Sequence, residues 1–494
     1  MIRAGLAWLA LCLLLAACGQ RDDDAIRVGI PTAPLTLDPR YATDALSARV
    51  SRLLHAPLVE FDAAAQPAPG LASWRRLTPT RYEFTLRDDA SFSNGRALVA
   101  DDVVATYRAV LDAALASPLR DALRNIADVQ AVDPRRVVFE LRHADALFPG
   151  TLAVGVMAAE EARAPRDAWQ LASGAFTREP WRIDGDVGLR RRVDGARIQL
   201  RVVKDATVRA LQLIAGEIDI AQGNLPPEML RWLAGRDGLK VIEQAGATMS
   251  YLGFNLSDPV LADRRVRQAL SHGIDRAAIV HYLFRDLAQP AASLLPPAHW
   301  ASPADIAVPS YDPALARQLL RAAGYGEKRL LVHYKTSADA FRLRLATLLE
   351  AQLRDIGVDL IIDSFDWGTF YADIGAGRFQ LYGLSWVGLK LPDIYRQAFH
   401  SASRPPAGLN RGHYDEPELD ALIEAAEQSS DETHRQLLYH AIARRLLYDA
   451  PYVPLWFETQ TAVLRDDIAD YSIDADGSFD GLRTVRRLTH HDRH

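Results

Sequence analysis

The sequence predicts an α/β protein built from more than one lobe. Short strand-like runs alternate with helix-like runs along the chain, the pattern of a mixed sheet covered by helices. At 494 residues the chain exceeds what one hydrophobic core serves, so at least two lobes share it. Hydrophobic residues at 49% and charged residues at 24% exclude a disordered chain. The formal net charge is −6 and the arginines are scattered among acids, which leaves no basic stripe for nucleic acid.

The first residues differ from the rest. Arg3 supplies a positive start, and Ala7 to Ala17 (AWLALCLLLAA) is apolar but too short to span a bilayer comfortably, so residues 1–17 read as a secretory signal. The run ends in Leu15-Ala16-Ala17-Cys18, which resembles the bacterial lipobox. That resemblance implies that Cys18 is lipidated, becomes residue one on cleavage and is acylated again. The other reading is a plain signal peptide with an incidental cysteine. More than one acyl chain gives durable anchoring, at about 0.8 kcal/mol per buried methylene. Residues 18–25, with the polar run Gly19 to Asp24 (GQRDDD), then form a lipidated tether on an exported protein, on the periplasmic or cell-surface side. Cys12 and Cys18 are the two cysteines, so the mature body is expected to lack disulfides, thiol nucleophiles and Cys-ligated zinc.

Along the body, Ile26–Ile30 (IRVGI) reads as an opening strand, and Tyr82–Arg87 and Arg136–Leu141 alternate faces like half-buried strands. Asp101 and Asp102 start a helix through Leu111, where acids suit a helix N-terminus. Arg197–Val203 is a strand, Thr207–Ala215 a helix and Glu217–Ala221 a short strand. A second group opens with strand Tyr251–Leu256 and continues with helices Arg264–Ser271, Asp275–Phe284 and Pro313–Ala323, the last stopped by Gly324. Strand Leu330–Tyr334, helix Ala338–Ile356 with Gly357 as its stop, and strands Val358–Phe365 and Leu381–Trp386 follow. Helices Asp393–His400, Pro417–Gln428 and Glu432–Tyr448 precede the extended segment Pro451–Phe457, and Thr489–His494 reads as a solvated tail.

An ordered series of blocks spans nearly the whole mature chain: Leu58–Asp62, Pro69–Trp74, Tyr82–Arg87, Phe92–Val104, Ala215–Ile220, Phe254–Leu256 with Arg264–Leu270, Tyr311–Tyr325, Leu353–Phe370 running into Trp386, and Pro451–Trp456. Taken together the series resembles the family 5 solute-binding proteins, the oligopeptide, dipeptide and nickel group. The resemblance implies the two-lobed periplasmic-binding-protein fold of class II with an extra inserted subdomain. Lobe I would combine 26–47, 173–250 and 457–494, the insert 48–172, and lobe II 251–456. The chain would cross between lobes near Ala247–Tyr251 and near Leu455–Glu458. An ABC permease and its ATPase are the implied partners of a monomer that binds a peptide or related small molecule, with no cofactor and no metal. His272, His281, His299, His333 and His400 are dispersed without metal-ligand spacing and read as structural.

Family position nominates the ligand contacts. Thr32, Ala33 and Pro34, in the loop Pro31–Leu37, offer backbone to an extended ligand. Trp367 and Tyr371 follow strand Val358–Phe365, and Trp386, Val387, Leu389 and Lys390 end the next strand, with Trp386 read either as cleft wall or as core. In peptide-binding members the tryptophan segment carries an acid that pairs with the ligand's α-ammonium group. Here that place holds Leu389-Lys390, and an unpartnered buried ammonium costs several kcal/mol. Lys390 then meets a ligand carboxylate or phosphate, or reaches solvent, and Asp393 starts its helix. Arg411 is a candidate fork for a carboxylate, or a loop support. The stretch Gly188–Ala196 (GLRRRVDGA) reads as a trimmed basic loop.

Two other classes stay open. A secreted hydrolase finds no Gly-x-Ser-x-Gly, His-Glu-x-x-His or P-loop to support it, although remote carboxylate pairs escape such patterns. A surface lipoprotein of the same fold serving as a receptor or envelope factor fits the same blocks.

Overall fold

The computed structural model describes residues 25–180, 185–223, 225–406 and 408–488. The leader, Cys18, nearly all of the tether and the tail Thr489–His494 lie outside the described residues. Among the described residues, eleven strands form one mixed sheet. Numbered within this sheet in chain order they are β1 (Ile26–Ile30), β2 (Phe176–Glu179), β3 (Val187–Arg191), β4 (Arg197–Val202), β5 (Ile220–Gln222) and β6 (Leu239–Phe254). The series continues with β7 (Ala288–Pro290), β8 (Leu330–Ser337), β9 (Val358–Phe365), β10 (Leu381–Trp386) and β11 (Tyr452–Arg465). Their spatial order is β9-β8-β10-β6-β11-β5-β1-β4-β3-β2, with β7 also on β11.

Each half of the sheet has a parallel centre. In one half β1 runs parallel to β4 and β5. In the other, β8 runs parallel to β9 and β10. Two long antiparallel strands, β6 with 16 residues and β11 with 14, pair with each other and carry the sheet from one half to the other. Alternation along β6 sends Met249 and Tyr251 to one face and Leu252 and Phe254 to the opposite one, each into its own apolar cluster. Chain between β1 and β2 builds a separate four-stranded antiparallel sheet. Helix Ala100–Leu111 closes that sheet, with Tyr107 edge-on to Phe139 at 5.2 Å and Phe139 edge-on to Phe84 at 5.4 Å.

Local chemistry explains where elements begin and end. Asp102 accepts from the Val99 amide at 2.9 Å and the Ala159 amide at 2.8 Å, so the predicted acid at this helix start both caps it and ties it down. Gly324 and Gly357 stop their helices at φ of 96° and 94°, as expected of left-handed terminators. Three expectations need correction. The short strand lies at Ile220–Gln222 and not Glu217–Ala221, because Gly216 at φ 71° carries the chain out of the helix and the Glu217 amide still bonds Gln212. Gly188–Ala196 is no trimmed loop: it forms β3 and a turn onto β4, with Asp194 gripping Arg191 at 2.6 Å. Asp393 heads helix Ile394–Phe399 but its carboxylate makes no cap bond.

β6 and β11 fall out of step at one place. Gln244 pairs with Gln460 and Thr248 with Glu458, so three residues of β6 oppose one of β11. Gly246 sits in this bulge, and a Cβ there would lie 1.9 Å from the Glu458 carbonyl oxygen. Only backbone movement relieves such a contact. Gly246→Ala is therefore expected to destabilise the fold by about 1–3 kcal/mol; urea unfolding with an unchanged midpoint would contradict this.

Candidate functional site

Burial along the two long strands locates the site. Trp456 and Phe457 are buried, Glu458, Thr459 and Gln460 are partly exposed, and Thr461 to Leu464 are buried again. On β6, Glu243, Gln244 and Ala245 are exposed while Ala247 and Met249 are buried. Solvent thus enters at the middle of the sheet, at the bulge, and the two halves stand on either side of that gap. Candidate residues gather at the C-terminal ends of the parallel strands, where open α/β sheets bind ligands. Thr32, Ala33 and Pro34 follow β1, Trp367 follows β9, and Trp386 ends β10.

The wall carried by β8, β9 and β10 is a ladder of rings around one cation. Trp367 and Tyr371, both on helix Trp367–Gly375 capped by Asp366, stack at 5.6 Å and 21°. The Arg411 guanidinium lies 5.2 Å from the Tyr371 ring and 5.8 Å from the Trp386 ring, and donates to the Tyr371 hydroxyl at 2.9 Å. Beyond it Trp386 stacks on Tyr251 at 5.9 Å, and Tyr251 stacks on Tyr452 at 4.3 Å. Trp367 and Tyr371 are exposed, Trp386 is half-buried and Arg411 is buried. No carboxylate pairs with Arg411 among the described residues; rings and a phenol oxygen surround it instead. The Trp386 indole N–H is buried without an acceptor among the described residues. Neighbouring Asn410 fixes the loop, donating to the His400 and Tyr414 carbonyls and accepting from the Tyr414 amide.

The segment after β10 departs from a simple ligand contact. Val387 is exposed, whereas Leu389 packs on the aromatic cluster. Lys390 bonds Asp476 at 2.5 Å and sits 5.2 Å from the Phe61 ring, so its charge ties this segment to the opposite half. Burial pushes the Asp476 carboxyl up, but the Lys390 ammonium outweighs it and holds the group below the ordinary value. His299, lowered to about 4 by burial, is neutral; its Nε2–H donates to the Lys390 carbonyl at 3.0 Å. Across the gap, Leu35 and Thr36 amides donate to the Ser47 hydroxyl, which shapes the loop and leaves Thr32 exposed.

Sequence reasoning missed the floor of the gap. Arg342, at the start of helix Ala340–Asp355, donates to Ser385 Oγ at 3.2 Å. Glu458 accepts from Ser250 Oγ at 3.0 Å. The available signal was a charged residue directly after the apolar run Pro451–Phe457.

A model of the family described as bacterial extracellular solute-binding proteins, family 5 Middle, matches residues 66–403, more than half of the chain. A mixed α/β sheet joined by two strands over a gap defines the periplasmic-binding-protein class of fold. The chain belongs to the family 5 bacterial extracellular solute-binding proteins, which are binding proteins and not enzymes. It is 26% identical to di/tripeptide-binding protein 3 of Pseudomonas aeruginosa, covering 94% of this chain and 96% of that one. It is 24% identical to the oligopeptide-binding protein AppA of Bacillus subtilis, over 92% and 89%. Among solved structures, the substrate-binding protein CtaP of Listeria monocytogenes superposes with a TM-score of 0.84 at 23% identity, covering 94% and 99%. The unliganded open form of the murein tripeptide-binding protein MppA gives 0.80 at 22% identity, over 96% and 99%.

A carboxylate cluster joins the inserted sheet to the β10 side. Burial, with Glu427 nearby, raises Asp145 to about 6. Asp393 is raised to about 7 by burial, with Asp145 and Glu427 adding to it. The Ala146 amide donates to the Glu427 carbonyl at 2.8 Å across the same contact. Both acids keep protons in the fold at pH values where the unfolded chain has lost them, so stability falls as pH rises from 3.8 through about 7. Asp393→Asn is expected to raise the melting temperature by about 1–3 °C at pH 8 and to leave it unchanged at pH 4. A rise of equal size at both values would contradict this assignment.

Proposed function

We propose that this chain is the substrate-binding lipoprotein of an ABC importer, closing on a peptide-like small solute and delivering it to a membrane permease driven by an ATPase. The observation that carries the reading is the solvent gap midway along β6 and β11. Two strand connections at one place allow the halves to swing about a single axis while resisting twist, and a ligand touching both walls shifts the population to closed. The lobes we assign are 26–47, 173–250 and 457–494 with the insert 48–172 on one side, and 251–456 on the other. This division puts the boundaries beside the gap.

The lining supports a small organic solute. Trp367, Tyr371 and Trp386 supply flat apolar walls, Thr32 to Pro34 supply backbone, and Arg411 supplies a cation without an acid partner among the described residues for a ligand carboxylate. Similar proteins named for di- and tripeptides, oligopeptides and glutathione support a peptide-like solute. Acylated Cys18 holds the monomer at the membrane near its permease, on the periplasmic or cell-surface side.

A thermal-shift screen of peptides and peptide-like metabolites tests the binding role. A ligand at one hundred times its Kd adds about 2.7 kcal/mol and raises the melting temperature by degrees, with a smaller radius of gyration in solution scattering. A broad library in which no compound does either contradicts it. Cys18→Ser is expected to move the protein from the membrane fraction to the soluble exported fraction; retention of the variant in membranes contradicts lipid anchoring.

A further inference from the structure

One helix on the first half of the sheet presents an apolar face to water. Helix Ala206–Ile214 carries a single charged side chain, Arg209, and buries it together with Ala210 and Leu213. The Arg209 guanidinium donates to the Val203 and Lys204 carbonyls. Val208, Leu211 and Ile214, spaced three apart and so in one stripe, are 44%, 53% and 41% exposed. A helix facing water ordinarily turns its charged side chains outward. Between Asp205 and Glu217 this one exposes no charge. Helix Pro227–Ala234 packs into the same apolar cluster through Leu230 and Leu233. It shows Trp232 to solvent, with the Arg236 guanidinium 4.5 Å from the ring.

The start of β1 meets the end of helix Ala206–Ile214. The Arg27 amide donates to the Asp219 carboxylate, and the Asp219 amide donates to the Arg27 carbonyl, both at 2.8 Å. The Arg27 guanidinium also donates to the Gly216 carbonyl at 3.4 Å. Because β4 and β5 both run parallel to β1, the helix between them returns from the gap to this foot. Ala25 follows Cys18 by seven residues, a reach of at most about 25 Å. The helix is about 13 Å long. The whole stripe therefore lies within reach of a membrane that holds Cys18.

We propose that the anchored protein lies on its bilayer, with Val208, Leu211 and Ile214 seated among the lipid head groups and Trp232 beside them. This rests on the lipid-anchored reading and adds the face that meets the lipid. Aliphatic side chains flanked by a tryptophan and an arginine suit the boundary between head groups and acyl chains. The posture also agrees with delivery to a permease. The tether joins at the foot of β1 and the gap opens at its other end, so a body standing on its foot would hold the gap away from the membrane. Lying on this helix keeps the rim of the gap beside the bilayer. Three side chains form a small contact, and the anchor makes it effective by keeping it at high local concentration.

Spin-label accessibility tests this on the lipidated mature chain, in vesicles of phosphatidylethanolamine with phosphatidylglycerol as the minor lipid. Acylation blocks Cys18, so a nitroxide attaches at Leu211→Cys. Its collisions are compared for oxygen, which concentrates in lipid, and for a neutral nickel chelate, which stays in water. The oxygen-to-nickel ratio is expected to be at least threefold higher on vesicles than for the same label on soluble Cys18→Ser protein. A label at Val132→Cys serves as control, being exposed on the inserted sheet. The insert packs with helix Ala45–Leu54 toward Ile26, Val28 and Ile30, the opposite face of β1 from the Gly29 face that Arg209 covers. Its ratio is expected to stay unchanged. Val208→Asp with Ile214→Asp, melting temperature checked, is expected to return the Leu211 ratio to the soluble value while the chain stays on the vesicles. An unchanged Leu211 ratio on vesicles overturns the proposal and leaves the anchored reading standing. Shielding of Leu211 that grows with protein concentration in the soluble chain assigns the stripe to a second copy and overturns it as well. A mature chain that does not stay with the vesicles overturns both readings.

Discussion

Everything in this molecule hangs on the pairing of β6 with β11. Sixteen and fourteen residues long, they are the strands that belong to both halves of the sheet. Their main-chain bonds satisfy backbone groups that burial would otherwise strand. At one point the ladder slips, three residues against one, and there water reaches the middle of the sheet. A bulge at that position does two things. It interrupts the ladder, and it lies beside Glu458 and Gln460, both partly exposed.

The chemistry of the gap follows from how charge is placed around it. Two other buried cations are saturated by carbonyls: Arg267 and Arg276 each donate to several main-chain oxygens. Arg411 is about as deeply buried yet donates to a phenol and lies against two rings, with no carboxylate partner among the described residues. Lys390 pairs with Asp476 across the gap. At the floor, serines hold Arg342 and Glu458 apart.

Much of this was legible in the sequence. The alternating run at Arg136–Leu141, the strand Val358–Phe365 and the glycine stops at Gly324 and Gly357 survive in the fold because local pattern and tertiary demand agree there. The ordered blocks led to the family that the comparison identifies. Trp367, Tyr371, Trp386 and Arg411, nominated separately, converge on one ring ladder. What escaped depends on long-range contacts. β6 reads as a strand only from Tyr251 onward, because Lys240, Glu243 and Gln244, exposed beside the gap, break up the pattern of its first half. Strand β3 hides in a run of arginines, since Arg191 is buried not only by nearby Asp194 but by the Leu482 and Val485 carbonyls, which lie far along the chain. Arg342 and Glu458, more than a hundred residues apart, become neighbours only once β11 crosses beneath the helix start.

The central claim is that the two halves move as a clamp about the slipped ladder. Nitroxide labels on Val193, at the β3–β4 turn, and on Leu331, in β8, sit on opposite halves at exposed positions. Introduced on a Cys18→Ser background, they report the separation of the halves by pulsed electron resonance. The account predicts a broad or two-peaked distribution that collapses to one shorter distance when a stabilising ligand is added. A single narrow distance, identical with and without that ligand, would contradict it.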